Sequence, residues 1–413
     1  MNTTTLILAI AGLSTLGVIA RPLRVPEYVW ALTGAAVLVA FGLLSWRDAV
    51  TAAAKGTDVY FFLIGMMLLA EVARQEGLFD WLAAHAVHHA KGSARRLFLI
   101  VYAVGTLVTV FLSNDATAVV LTPAVYAAAT AARVESLPYL FICAFIANAA
   151  SFVLPISNPA NLVIFGAHMP PLGQWLYQFL LPSTASILVT YAALRFTQRH
   201  ALRQEIAESV EMKPLSIGGQ CVAIGIGLTA AALLAASALD RQLGLPTFIA
   251  GTAVAVVVLL IGQRSPWPVL RDVSWGVLPL VAGLFILVES VEQTGVLRVI
   301  AQMLHDAAAA SPRETAAGAG AIVAFASNLL NNLPTGLVAA TVSQNADVPL
   351  QVTGGLLIGV DLGPNLSVTG SLATILWLIA LRREGEAVTA WQFLKLGIIV
   401  MPPALLAALV LLP

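Results

Sequence analysis

Ser113-Asn114-Asp115 interrupts an apolar stretch, residues 97–132, in which Asp115 is the only charged side chain. A carboxylate at bilayer depth costs about 3 kcal/mol or more, so its presence there marks a working position. A second polar tip, Asn331-Asn332-Leu333-Pro334-Thr335, lies inside another apolar stretch, 317–345. Two further apolar segments carry helix breakers at their centres. These are "SFVLPISNPANLV" (151–163), with Pro155 and Pro159, and "GVDLGPNLSVTGSLATILW" (359–377), with Gly363, Pro364 and Gly370. Re-entrant tips and broken helices turn backbone groups, amides and hydroxyls toward a polar cavity in the membrane. The expected lining is Ser113, Asn114, Thr117, Asn158, Asn161, Asn332, Thr335, Asn365, Thr369 and Ser371. This set holds no Lys or Arg to pair with a strongly anionic solute, so it points to a small neutral solute that presents hydroxyls. Asp115 and Asp361 are the acids placed to take up and release a proton. The plainer alternative is that these side chains cap and glue broken helices.

Such a site needs an all-α membrane scaffold, and the composition calls for one. The chain is 59% hydrophobic and 10% charged, against about a quarter charged in soluble domains. Formal net charge is zero and no basic stripe is present, which excludes nucleic acid as a partner. No G-x-x-x-x-G-K sequence occurs, so pumping must draw on an ion gradient or on a separate ATPase. The first residues read as a transmembrane helix and not as a signal peptide. Cys143 and Cys221 read as plain apolar-segment thiols. His85 and His89 stand four apart in "LFDWLAAHAVHHAKGSARR", a metal-compatible spacing without a third ligand, on a helix expected along the inner surface. Neither a metal nor a cofactor is expected.

The chain repeats itself. A shift of 218 residues places Gly65 on Gly283, Glu71 on Glu289, Asn114 on Asn332 and Thr117 on Thr335. A shift of 213 places Asn148 on Asp361, Asn158 on Ser371 and Asn161 on Thr374. Each half holds five apolar spans and one hairpin, and an odd span count turns the second half upside down. The expected division is a first repeat at 1–196, with its hairpin near 97–132 and broken helix near 138–166, and a cytoplasmic linker at 197–216. A second repeat follows at 217–413, with its hairpin near 317–345 and broken helix near 351–381. With both termini outside, sixteen of the 21 Lys and Arg residues, Arg24, Arg74 and Lys213 among them, fall in inner loops. Five, namely Arg47, Lys55, Arg241, Arg298 and Arg313, fall outside, which supports that orientation. Glu71 is read as a structural partner of Arg74, three residues on.

At "FLSNDATAVVLTPAV", "NNLPTGLVAATV" and "DLGPNLSVTGSLATILWL" the sequence resembles the arsenite permeases of the ArsB type, in the ion transporter superfamily. The likeness runs over nearly the whole chain. It implies about ten transmembrane helices in two inverted repeats, each with a re-entrant hairpin and a broken helix, in a bacterial inner membrane. It also implies export of arsenite and antimonite, as trivalent hydroxides, in exchange for protons, with a soluble ATPase as a partner in some relatives. By this resemblance both tips, the 157–161 break and the stretch from Asp361 to Thr369 line the substrate site. Some members carry an acid where this chain has Asn148, which leaves Asp115 and Asp361 as the proton candidates. Arsenous acid is uncharged at neutral pH and suits an amide-and-hydroxyl site. Two rival functions are a sodium/proton antiporter or sodium-coupled anion carrier of the same superfamily, and a membrane redox subunit using the histidines.

Overall fold

The computed structural model describes residues 2–22, 25–204, 206, 214–239 and 241–413, and is helical throughout with no strand among them. Arg24, Lys213 and most of the middle of the 197–216 linker lie outside the described residues. A chain crossing lipid must satisfy its backbone internally, and helices do so within each segment.

The first half runs through α1 (Thr3–Ala20), α2 (Glu27–Ala40), α3 (Trp46–Lys55), α4 (Thr57–Gln75) and α5 (Leu78–Ala90). It continues with α6 (Ala94–Leu112), α7 (114–131), α8 (Leu137–Ala149), α9 (Pro159–Phe165) and α10 (Leu172–Thr197). The second half gives α11 (Ile217–Ala238), α12 (Gly244–Ile261), α13 (Trp267–Asp272), α14 (Val277–Gln293) and α15 (Val296–Ala310). After these come α16 (Pro312–Leu330), α17 (Asn332–Ala346), α18 (Leu350–Leu362), α19 (Leu372–Arg383) and α20 (Ala390–Val410). Each helix thus has a counterpart ten labels later, in the same order. Six helices are long and apolar enough to cross a membrane, and α3 with α4, bent by 48°, makes a seventh. Helices α1, α2 and α8 are shorter apolar helices. With α6 set aside as a hairpin arm, the other six spans together with α1, α2 and the broken pairs α8–α9 and α18–α19 make the expected ten.

The halves clasp each other. Helix α4 packs on α12 while its counterpart α14 packs on α2; α7 packs on α19 while α17 packs on α9; α10 packs on α20. These exchanged contacts are what an approximate two-fold relation between inverted repeats requires. The register glycines sit at two of these crossings. A side chain on Gly65 would run into the backbone of Thr247 on α12, and one on Gly283 into Ala31 on α2. Small residues at such crossings let helices approach where lipid offers no hydrophobic drive.

Each hairpin reverses at one residue with positive φ, Ser113 (φ 115°, ψ 162°) and Asn331 (φ 72°, ψ 153°). The two are matched by the 218 shift. Non-glycine residues in that region cost roughly 1–3 kcal/mol each, so the surrounding structure must hold them there. Thr109 and Thr117 clasp across the first tip with hydroxyls 2.8 Å apart. Asn331 Nδ2 donates to Thr369 O at 3.2 Å across the second.

Gly65→Val is expected to cost about 3 kcal/mol or more by forcing α4 off α12. Gly12→Val, at a position with open space around it, should be nearly neutral. Thermal unfolding in detergent compares the two, and equal melting temperatures would contradict this packing.

Candidate functional site

The polar tips and breaks converge. After each interruption a new helix starts, and four starts meet at one small cleft: α7 at Asn114, α9 behind Asn158, α17 at Asn332 and α19 behind Ser371. The cleft is built from matched pairs. Asn114 and Asn332, Leu63 of α4 and Val281 of α14, Asn158 and Ser371, and Pro159 and Leu372 all line it. One pair breaks the symmetry, Asp115 against Leu333. No hydrogen bond to the Asp115 carboxyl is formed among the described residues, and it is the only titratable side chain on the cleft wall.

The hydrogen bonds fix which end of each side chain is left over. Asn114 Oδ1 accepts from Asp115 N at 2.9 Å, Asn158 Oδ1 from Ala160 N at 3.0 Å, and Ser371 Oγ from Ala373 N at 3.1 Å. In each case the oxygen is turned to a helix start, which leaves amide or hydroxyl hydrogens for the cleft. Asn332 differs. Its backbone N–H is spent on Gly370 O at 2.8 Å, and its Oδ1 is buried without a partner.

Other expected lining residues support the walls instead. Asn161 Nδ2 donates to the carbonyls of Ser151 (2.9 Å), Leu154 (3.3 Å) and Pro155 (3.3 Å), satisfying the unwound stretch before α9. Asn365 bridges Asn148 (2.9 Å) and Phe145 O (3.0 Å). Thr335 Oγ1 donates to Asn331 O at 2.8 Å and Thr369 Oγ1 to Asn328 O at 2.9 Å. Thr117 is fully buried inside its hairpin. Ser113 lines the approach to the cleft. Asp361 is fully buried and lines neither the cleft nor the two vestibules, with Oδ1 accepting from Asn158 Nδ2 at 2.8 Å and Oδ2 lying 2.6 Å from Ser151 Oγ.

Two vestibules approach from opposite ends of α4 and α14. The first, about 660 Å3, runs past Met67, Ala70 and Glu71 and shares Leu63, Asp115, Pro159 and Val277 with the cleft. The second, about 1180 Å3, is its counterpart, with Phe285, Val288 and Glu289 in the matching places. It stops at Val59, Val163 and Leu337 and shares no residue with the cleft. An ion pair stands at each mouth. Arg74 holds Glu71 through Nε (2.8 Å) and Nη2 (2.5 Å) and reaches Asp272 at 3.1 Å, while Lys55 meets Glu289 at 2.6 Å. The Glu71–Arg74 pair is the one their spacing suggests.

Three features escaped the sequence reading. The α4 and α14 walls carry no polar signal, although Leu63 and Val281 fall in the same 218 register as Gly65 and Gly283. Asn148 and Ser151 join the buried network around Asp361. Arg21, placed in an inner loop by its charge, pairs with Glu27 in a small cavity that also touches Asn331 and Leu333. His85 and His89 turn Nδ1 to the carbonyls of Trp81 (2.9 Å) and His85 (2.8 Å), and no group of three metal-ligating side chains occurs among the described residues.

A helical membrane protein with opposed vestibules and a midplane cleft between inverted halves is a transporter. The sequence places it further. Residues 8–360 match the citrate transporter family, CitMHS, and the chain belongs to that family. It is 26% identical over 360 residues to an arsenical pump membrane protein of Escherichia coli, covering 84% of this chain and 83% of the relative. An uncharacterized transporter of Mycobacterium tuberculosis is 27% identical over 399 residues, 91% of each. The crystal structure of the YdaH transporter of Alcanivorax borkumensis shares the fold, with a TM-score of 0.59 at 17% identity, over 100% of this chain and 98% of that one. MtrF of Neisseria gonorrhoeae does so with a TM-score of 0.57 at 12% identity, over 100% and 94%. These relatives are transporters and not enzymes.

Ala116→Cys, on the first vestibule beside Asp115, should react with an impermeant maleimide added at the Glu71 face. Leu333→Cys, the counterpart of Asp115, should resist the reagent added at the Glu289 face. Labelling in oriented vesicles measures both, and rapid modification of Leu333→Cys from the Glu289 face would contradict the closed second vestibule.

Proposed function

We propose that this protein is a secondary active exporter of trivalent arsenic and antimony hydroxides, exchanging them for protons across a bacterial inner membrane by alternating access. The reading takes the chain as two repeats, 1–196 and 217–413, joined by a cytoplasmic linker, with both termini outside. The observation that carries it is the donor-rich cleft. Four helix starts direct partial positive charge and spare N–H or O–H groups at one spot, and a single carboxyl without a partner stands among them. Arsenous acid offers oxygen lone pairs to those donors and a hydroxyl to Asp115 or to Asn332 Oδ1. The arsenical pump relatives support the same substrate class.

Sodium fits poorly. A sodium ion needs oxygen ligands, and here the side-chain oxygens of Asn114, Asn158 and Ser371 are turned to backbone N–H groups. A carboxylate solute, suggested by the family's description, is the second reading, because helix starts favour anions. The absence of Lys and Arg from the cleft wall and the presence of Asp115 there favour the neutral hydroxide. Asp115 carries the proton in this reading. A soluble ATPase partner is compatible with it and is not required.

Everted vesicles holding the protein should accumulate arsenite when acid inside, and collapsing the proton gradient should release it. Asp115→Asn should abolish gradient-driven accumulation while leaving arsenite/arsenite exchange, measured with labelled solute. Accumulation that persists without a proton gradient or ATP, or that follows citrate or sodium instead, would overturn the proposal.

A further inference from the structure

We infer that Asp361 is a positioning residue. Resting on the transport reading above, it fixes the amide of Asn158 so that one N–H of that side chain serves the solute, and it carries no transported proton. Asp361 ends α18 in the second half, whereas both its hydrogen-bond partners belong to the unwound stretch of the first half. Asn158 is held at both ends. Its Oδ1 accepts from Ala160 N and one hydrogen of Nδ2 goes to Asp361 Oδ1. With carbonyl and amine ends both committed, the amide cannot flip, and its second N–H is the group left on the cleft wall.

The opposite side of the cleft shows why one anchor suffices. The counterpart of Asn158 is Ser371, a hydroxyl that rotates to suit its ligand. The counterpart of Asp361 is Asn148, which bonds Asn365 at 2.9 Å and not Ser371. An amide that must present one particular edge needs a fixed acceptor, and a hydroxyl does not. Around Asp361 most polar atoms serve one another, while Asn148 Oδ1 is buried without a partner. Ser151 Oγ also lies 2.7 Å from Asn148 O, and Asn365 Nδ2 reaches Phe145 O at 3.0 Å. The carboxyl touches neither the cleft nor a vestibule. Its only hydrogen-bonded link toward the cleft is an amide, which does not relay protons, whereas Asp115 opens directly on the first vestibule.

The experiment uses the full-length protein in proteoliposomes, with labelled arsenite uptake driven by an inside-acid gradient. Asn158→Ala should raise the half-saturating arsenite concentration about tenfold, the loss of roughly one hydrogen bond. Asp361→Asn should raise it by about three- to tenfold and leave the dependence of the maximal rate on the pH gradient unchanged. The double variant should be no worse than Asn158→Ala alone, because the two act through one contact. Ser151→Ala keeps the Asn158–Asp361 bond and should leave the dependence of the maximal rate on the pH gradient unchanged, and it tests the assignment even if Asp361→Asn is not recovered folded. Loss of gradient-driven uptake with retained arsenite exchange in Asp361→Asn, additive effects in the double variant, or loss of coupling in Ser151→Ala would each overturn the inference. A wild-type protein that moves no arsenite overturns the transport reading and this role together.

Discussion

Unwound backbone in the middle of a bilayer has nowhere to find hydrogen bonds except in its own protein, and this constraint shapes the rest of the molecule. Four helix starts meet inside the helical bundle, where lipid cannot satisfy their first N–H groups. Asn114, Asn158, Asn331 and Ser371 cap them with side-chain oxygens. Asn161, Asn328 and Asn365 close the carbonyls behind them. What remains on the cleft wall is a set of amide and hydroxyl hydrogens from Asn114, Asn158 and Ser371, beside two unpartnered acceptors, Asn332 Oδ1 and the Asp115 carboxyl.

The two-fold relation makes this arrangement possible and also makes its exceptions meaningful. A hairpin tip cannot turn back on itself at bilayer depth without a partner surface, and each tip finds one in the broken helix of the other half. Because the pairing is exchanged, most wall residues have a counterpart on the wall, and a mismatch stands out. Asp115 opposite Leu333 is the mismatch that introduces an acid into an otherwise neutral cleft. The vestibules differ in the same informative way. Equivalent residues line both, yet only the one at the Glu71 face reaches Asp115. A single inverted-repeat scaffold is therefore caught with one approach joined to the site and the other sealed by Val59, Val163 and Leu337.

Much of the fold was legible in the sequence because lipid makes punctuation costly. Pro155, Pro159 and Pro364 inside apolar runs mark breaks, and a lone Asp115 among 36 residues (97–132) marks a tip. The 218 register, read from Gly65 and Glu71, recurs as matched helix crossings and as two tips that both turn at a positive φ. The division of labour among the amides was not legible. Whether an Asn faces a solute or a carbonyl depends on how loops from both halves meet, and no spacing along the chain encodes that. Asn161 and Asn365 therefore look like Asn158 in sequence and differ from it in place. Asp361 reads as an equal of Asp115 until its two neutral partners are seen. The apolar walls at Leu63 and Val281 carry no chemical signal at all.

The most direct test counts protons. In proteoliposomes without a membrane potential, the equilibrium arsenite accumulation ratio is measured as the imposed pH difference is varied. One free carboxyl on the cleft requires one proton per solute, hence about tenfold accumulation per pH unit. A hundredfold rise per pH unit, or a ratio that tracks sodium and ignores pH, would contradict a single-acid, donor-lined site.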